Sequence, residues 1–130
     1  MANTFQFDPV ELPPECKELR QEVRAFLKQE IDAGTFSPGG GRGENAAAFA
    51  RKVGAKGWIG MTWPKEYGGH GRTQLERYVV TEEMLAHRAP TRHYSTADWQ
   101  SGPMILRYGQ EAVRQEYLPR IASEIGRAHV

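Results

Sequence analysis

A chain of 130 residues, 39% hydrophobic and 25% charged, is long enough for one domain with a modest core and has the composition of a soluble globular protein. Lys and Arg total 17 against 16 Asp and Glu, and a net charge of +1 gives no electrostatic basis for binding nucleic acid or an anionic membrane. One cysteine, Cys16, excludes an internal disulfide framework; with no signal-peptide pattern in MANTFQFDPVELPP and no run long enough to span a membrane, a cytoplasmic location is expected.

Helical periodicity recurs along the chain, and no alternating β-branched run or hairpin signal accompanies it. The first helix is expected over PPECKELRQEVRAFLKQEI, with Leu19, Val23, Phe26, Leu27 and Ile31 on one face and Arg20, Arg24 and Lys28 outside it. Pro13 and Pro14 suit its start, where a missing N–H costs nothing. AGTFSPGGGRG reads as a loop. A second, alanine-rich helix near 45–53 carries Phe49 and Val53 and stops at Gly54 and Gly57. The third opens with a capping box, Thr73 and Glu76, and has Leu75, Val79 and Leu85 as its apolar side. Pro90 closes that segment. A fourth, roughly 92–108, is the most apolar, and Pro103 should kink or break it. Gly109 stops it, and a short fifth helix, QEAVRQEYL, precedes Pro119. The expected fold is all-α, about five helices.

Two stretches hold the candidate chemistry. WPKEYGGHG contributes Trp63, Pro64, Tyr67, Gly68, Gly69 and Gly71 just before a helix. Bare amides feeding a helix start can cradle phosphate, but the Lys-Ser/Thr ending and the preceding strand of a P-loop are missing. The glycines suit positive φ, so a structural corner is expected, with Trp63, Pro64 and Tyr67 packing it against the helices. HYSTADWQSG places Tyr94, Asp98 and Trp99 where a helix begins to be buried. An acid among aromatics needs a partner or water, and a local cap between Ser95 and Asp98 would supply one. His87 and His93 flank a helix break without ligand spacing, so no metal site is expected, and no residue pair suggests nucleophilic catalysis. Glu82 and Glu83, adjacent on one helix, should face solvent or a neighbouring helix.

The C-terminal EIGRAHV stands apart. Ile125 to Val130 is what one frame of a common short-read sequencing adapter encodes immediately before its stop codon. The two adapter bases ahead of that frame complete a Glu codon for Glu124. The expected division is therefore a domain over 1–123 and a non-native tail over 124–130.

Three segments together resemble the N-terminal helical domain of acyl-CoA dehydrogenases: LPPECKELRQEVRAFLKQE, then GAKGWIGMTWPKEYGGHGRTQLERYVVTEEM, then GPMILRYGQEAVRQEYLPRIAS. The resemblance covers nearly all of the chain to Ser123. The family usually continues from that Ser into Gly, whose first base followed by the adapter's AG would give Glu124. Gln110 departs from the family's usual Thr, Ser or Asn cap. The resemblance implies an FAD enzyme that introduces a double bond between the α and β carbons of an acyl-CoA, a glutamate taking the proton and the flavin the hydride. In this family a middle β-domain and a C-terminal bundle, both missing here, supply most flavin contacts and usually the base. The fragment alone is therefore expected to be inactive and not to bind FAD. An electron acceptor and a homo- or hetero-tetramer are implied for the parent enzyme. The resemblance also puts Tyr94, Asp98 and Trp99 beside the acyl cavity, as lining residues, with no catalytic residue in this chain. A free-standing helical interaction module, or a non-catalytic partner subunit of such an enzyme, is the alternative.

Overall fold

The computed structural model describes residues 6, 8, 9, 11–38 and 45–123; the expected tail, 124–130, and part of the expected loop, 39–43, lie outside them. Among the described residues five helices form: α1 (Pro14–Asp32), α2 (Ala46–Ala55), α3 (Gln74–Ala86), α4 (92–108) and α5 (Glu111–Ser123). No strand occurs among the described residues, so the fold is all-α.

Helix α1 buries Cys16, Leu19, Val23, Phe26 and Leu27 along one stripe, with Ile31 partly buried beside them. Phe26 stacks on Phe49 of α2 and meets Trp58 edge-on, and Phe36 closes the same cluster against Phe49. The stripe also packs on α3. Here charge does part of the holding, for Glu83 is buried and receives Arg20 and Arg24 from α1. Burial alone would push its pKa up, but the Arg24 and Arg20 hydrogen bonds outweigh it and hold the carboxyl below its usual value. Glu82 takes Arg20 at 2.7 Å and the Tyr78 hydroxyl.

The expected core face of α3 is corrected by this packing. Val79 is buried, but Leu75 and Leu85 are exposed, and Val80, Glu83 and Met84 complete the inner face instead. The helix carries apolar residues on two sides, and α1 covers only one. Helix α5 is likewise longer than expected, running through Pro119 to Ser123. Pro119 removes one intrahelical bond, yet Leu118, Ile121 and Ala122 are all buried, and their burial carries the helix past it.

Three helix ends share one device. After α1, Gly34 and Thr35 donate to Ile31 and Glu30; after α2, Gly57 and Trp58 donate to Gly54 and Val53; after α3, Arg88 and Ala89 donate to Leu85 and Met84. Each pair is a Schellman motif, whose turning residue must take positive φ. Gly34 does so at 79°, whereas Arg88 does so at 51° with a Cβ in the way. Arg88→Gly is therefore expected to raise stability by about 0.5–1 kcal/mol. Gly34→Ala, where an added Cβ meets nothing within 4 Å, should lower it by about 1 kcal/mol from backbone strain alone. Urea midpoints at constant slope measure both, and an unchanged midpoint for Arg88→Gly would show that its turn is unstrained.

Candidate functional site

The corner between α2 and α3 spends its own amides. Gly68 donates to Lys65, Gly69 to Pro64, His70 to Gly60, Gly71 to Trp63 and Arg72 to Met61. Each of these bonds closes on a carbonyl inside the corner, so the glycine-rich run does not present a row of free donors to an anion. Thr73 and Glu76 then form the capping box that starts α3, the Glu76 amide reaching the Thr73 hydroxyl and the Thr73 amide reaching the Glu76 carboxylate.

Trp63 lies at the centre, 4% exposed, in a slot made by glycines from three places. A Cβ on Gly60 would stand 2.7 Å from its ring, one on Gly69 2.3 Å from its carbonyl oxygen, and one on Gly102 of α4 2.3 Å from its ring. Tyr67, also buried, donates its hydroxyl to the Glu111 carboxylate at 2.8 Å, which ties the corner to the first turn of α5. At Gly68, φ is 80° and a Cβ would press on the Pro119 backbone at 2.9 Å. Gly71 is a second positive-φ turn, at 57°. Pro64 is exposed rather than packed; its part is to offer the carbonyl that Tyr67 and Gly69 share. His70 rests against Gly57, and burial first, then Arg72 and Lys65, lowers its pKa.

Helix α4 neither breaks nor simply kinks at Pro103. It is α-helical over Arg92–Thr96, takes a π turn over Ala97–Ser101 and resumes as α-helix over Gly102–Tyr108. The Gly102 amide reaches back to the Ala97 carbonyl, a five-residue step. Pro103, lacking an N–H, could not have made the ordinary bond one turn back, so the wider turn accommodates it.

The three residues of the 93–102 segment occupy different depths. Tyr94 is buried in the core cluster, Trp99 is half-buried, and Asp98 is 6% exposed. Asp98 makes no local cap with Ser95: its Oδ1 accepts the Gly60 amide at 2.9 Å, across 38 residues of sequence. Burial pushes its pKa above the usual carboxylate value, while the Gly60 amide, Arg77 and the Trp99 side chain pull the other way. Gly60, Gly102 and Glu111 were not legible as partners, because each contact joins segments far apart in sequence. Only the Gly-Pro step at 102–103 hinted at an irregular turn.

Two apolar faces remain open. Leu75, Tyr78 and Leu85 stand out on the far side of α3, where a groove of about 460 Å³ is lined by Gln74, Arg77, Tyr78, Thr81, Glu82 and Leu85. On α4, Met104 is 59% and Tyr108 69% exposed. No group of three or more potential metal ligands occurs among the described residues, and no helix there is long and apolar enough to cross a membrane.

The helices of the described residues gather on a glycine-lined tryptophan corner and define an all-α domain. Residues 13–124 match the family model described as Acyl-CoA dehydrogenase, N-terminal domain, and the chain belongs to that family. It is 31% identical over 116 residues to the acyl-CoA dehydrogenase FadE26 of Mycobacterium tuberculosis, covering 85% of this chain and 28% of that protein. It is 32% identical over 120 residues to the mitochondrial isovaleryl-CoA dehydrogenase of Pongo abelii, covering 86% and 27%. Among solved structures it resembles the Tcur3481-Tcur3483 steroid ACAD, with a TM-score of 0.72 at 34% identity over 87% of this chain and 30% of that one. It also resembles the ChsE4-ChsE5 complex from Mycobacterium tuberculosis, with a TM-score of 0.69 at 26% identity over 89% and 29%. The chain thus spans less than a third of the length of these relatives.

The burial of Asp98 sets a pH signature. Its folded-state pKa lies above that of the unfolded chain, so the folded state holds its proton to higher pH. The Asp98 contribution to stability should therefore fall as pH rises from the ordinary carboxylate range through the raised value and level off above it, opposite in sign to the contribution of Glu83 with its lowered pKa. Asp98→Asn keeps an acceptor for Gly60 and should remove that slope. Asp98→Ala orphans a buried amide and should fall about 1–3 kcal/mol below the Asn variant. Urea unfolding from acid to neutral pH checks this, and an Asn variant that keeps the full wild-type slope would assign the slope elsewhere.

Proposed function

We propose that this domain belongs to a flavin-dependent acyl-CoA dehydrogenase, builds one wall of its acyl cavity and carries no catalytic residue of its own. The observation that carries the reading is the pair of apolar faces, Leu75, Tyr78 and Leu85 on α3 and Met104 and Tyr108 on α4, left open by a domain whose core is otherwise filled. Faces of this kind are normally covered by a partner, and the family relatives are more than three times as long as this chain. In this reading Tyr94, Asp98 and Trp99 shape the wall, and Trp99, the most exposed of the three, meets the acyl chain.

The described residues do not fit FAD by themselves. A flavin dinucleotide needs donors aimed at its phosphates, and the amides of the glycine-rich corner are committed internally. FAD, the catalytic base and the electron acceptor's docking site are accordingly assigned to domains outside this chain. Two of the structural relatives are named as two-component assemblies, which supports a multi-subunit parent enzyme.

The direct test is the adjoining DNA, which should encode a β-domain and a helical bundle in frame after Ser123. A genomic stop codon there, or one after a genuine 124–130, would favour a free-standing interaction module. The purified 130-residue chain is expected to bind neither FAD nor acyl-CoA; a flavin absorbance that stays with it through gel filtration would contradict the assignment. In the full-length enzyme, Trp99→Ala should change preference among acyl-CoAs by about tenfold while sparing the rate on the best substrate. The series should run from isovaleryl- and glutaryl-CoA to a steroid thioester, the range spanned by the relatives' names. An equal drop for every substrate, together with lost thermal stability, would make Trp99 a packing residue only.

A further inference from the structure

The π turn of α4 is held at two points four residues apart, and both holds come from the same short loop. Asp98 accepts the Gly60 amide at 2.9 Å, and Gly102 lies against the Trp63 ring so closely that a Cβ would stand 2.3 Å from it. Gly60 and Trp63 are themselves joined, the Trp63 amide donating to the Gly60 carbonyl at 3.2 Å. The loop is therefore one rigid piece gripping both ends of the turn. A π turn is the rarer backbone state and persists only where its surroundings hold it. Trp99 follows the first grip directly in sequence and is half-buried.

We propose that Asp98 is a positioning residue: with Trp63 it holds α4 in the π register and thereby fixes the direction in which Trp99 meets the acyl chain. This rests on the pocket-wall reading above. Several features favour positioning over packing alone. Asp98 is as buried as the core, yet it accepts a neutral amide from another segment at 2.9 Å and has no counter-charge at ion-pair distance among the described residues. Burying a carboxylate that way is costly, and a smaller polar residue such as Ser would cost less but would hold its oxygen one bond closer to the helix, short of the Gly60 amide. What the longer carboxylate adds is reach, since it spans from the wide turn to Gly60 while its neighbour stays outside. The Trp99 side chain acts on Asp98 as a hydrogen-bonding partner and Arg77 acts on it through its charge, which ties the grip to the residue it orients and to the open groove of α3.

Two measurements separate this proposal from the reading it rests on. The first uses the 130-residue chain and reads the Gly60 amide and the Trp99 indole N–H by NMR with hydrogen exchange. In Asp98→Ala, Gly60 should exchange at least about a hundredfold faster and the Trp99 indole resonance should move, while the Val23 and Leu27 amides of α1 keep their protection. Asp98→Asn should leave both probes in place. The second uses the full-length enzyme: Asp98→Ala should reproduce the altered acyl preference of Trp99→Ala, about tenfold between neighbouring substrates and read as a KM-against-kcat split, and Asp98→Asn should restore it. A Trp99 resonance that stays put while Gly60 is released would overturn the positioning role. A resonance that moves, with Trp99→Ala leaving preference untouched, would sink the pocket reading and leave the positioning standing. If Asp98→Ala loses protection in α1 as well, Asp98→Ser is read in the same way, and loss of α1 protection in both would show that Asp98 serves the whole fold and not Trp99.

Discussion

Trp63 needs a space that no side chain may enter, and that need organises the domain. Its indole is approached by Gly60 and Gly102, and its carbonyl by Gly69, at separations where a Cβ would overlap. Three backbone segments therefore close on one large ring, with the apolar area of a tryptophan removed from water at their meeting point. The rest of the corner follows from that closure. With Gly69 drawn in against Trp63, the amides of His70, Gly71 and Arg72 fall on the carbonyls of Gly60, Trp63 and Met61. Helix α3 can then start at its capping box in a fixed direction, and α4 is brought within reach of Gly60. A glycine-rich run before a helix is chemically ready to bind an anion, but close packing has used that readiness for architecture.

The α1–α3 contact follows a different logic. Its apolar stripe would let the two helices slide, since dispersion and burial have little directional preference. The buried Glu83, held between Arg20 and Arg24, adds direction. A carboxylate that deep is unfavourable unless both guanidinium partners are in place, so the ion pairs select one register more than they add net stability. His87 joins the same end of α3, its Nδ1 lying 2.8 Å from the Glu83 carbonyl oxygen.

Local rules were readable and long-range ones were not. The stripe Leu19, Val23, Phe26, Leu27 on α1 and the Thr73–Glu76 box need only sequence neighbours, and both stand in the structure as the spacing indicated. The face of α3 misled because Leu75 and Leu85 share its apolar character but lie on the side that no helix of this chain covers. Pro119 reads as a stop, yet the helix runs through it because Ile121 and Ala122 have a core to enter, a tertiary gain that outweighs one missing bond. Asp98 and Ser95 look like a cap at short range, whereas the acceptor is taken by Gly60, whose amide becomes available only once Trp63 has turned the chain. Family resemblance supplied what periodicity could not, namely that the glycines, the aromatic corner and the Gly-Pro helix belong to one fold.

The open faces now have a physical meaning that differs from incomplete folding. Phe26, Phe49, Trp58, Val79 and Leu118 already form a closed core, so Leu85, Met104 and Tyr108 are not core residues lacking neighbours within this domain. Helices α3 and α4 each serve two masters, an inner face that holds the domain together and an outer face that does not contribute to it. Arg77 lies between these demands: it makes no ion pair among the described residues, lines the outer groove and still acts electrostatically on buried Asp98. What joins the inner faces is the glycine-lined corner, where Gly60 and Gly102 close on Trp63 and the Gly60 amide meets Asp98 of α4.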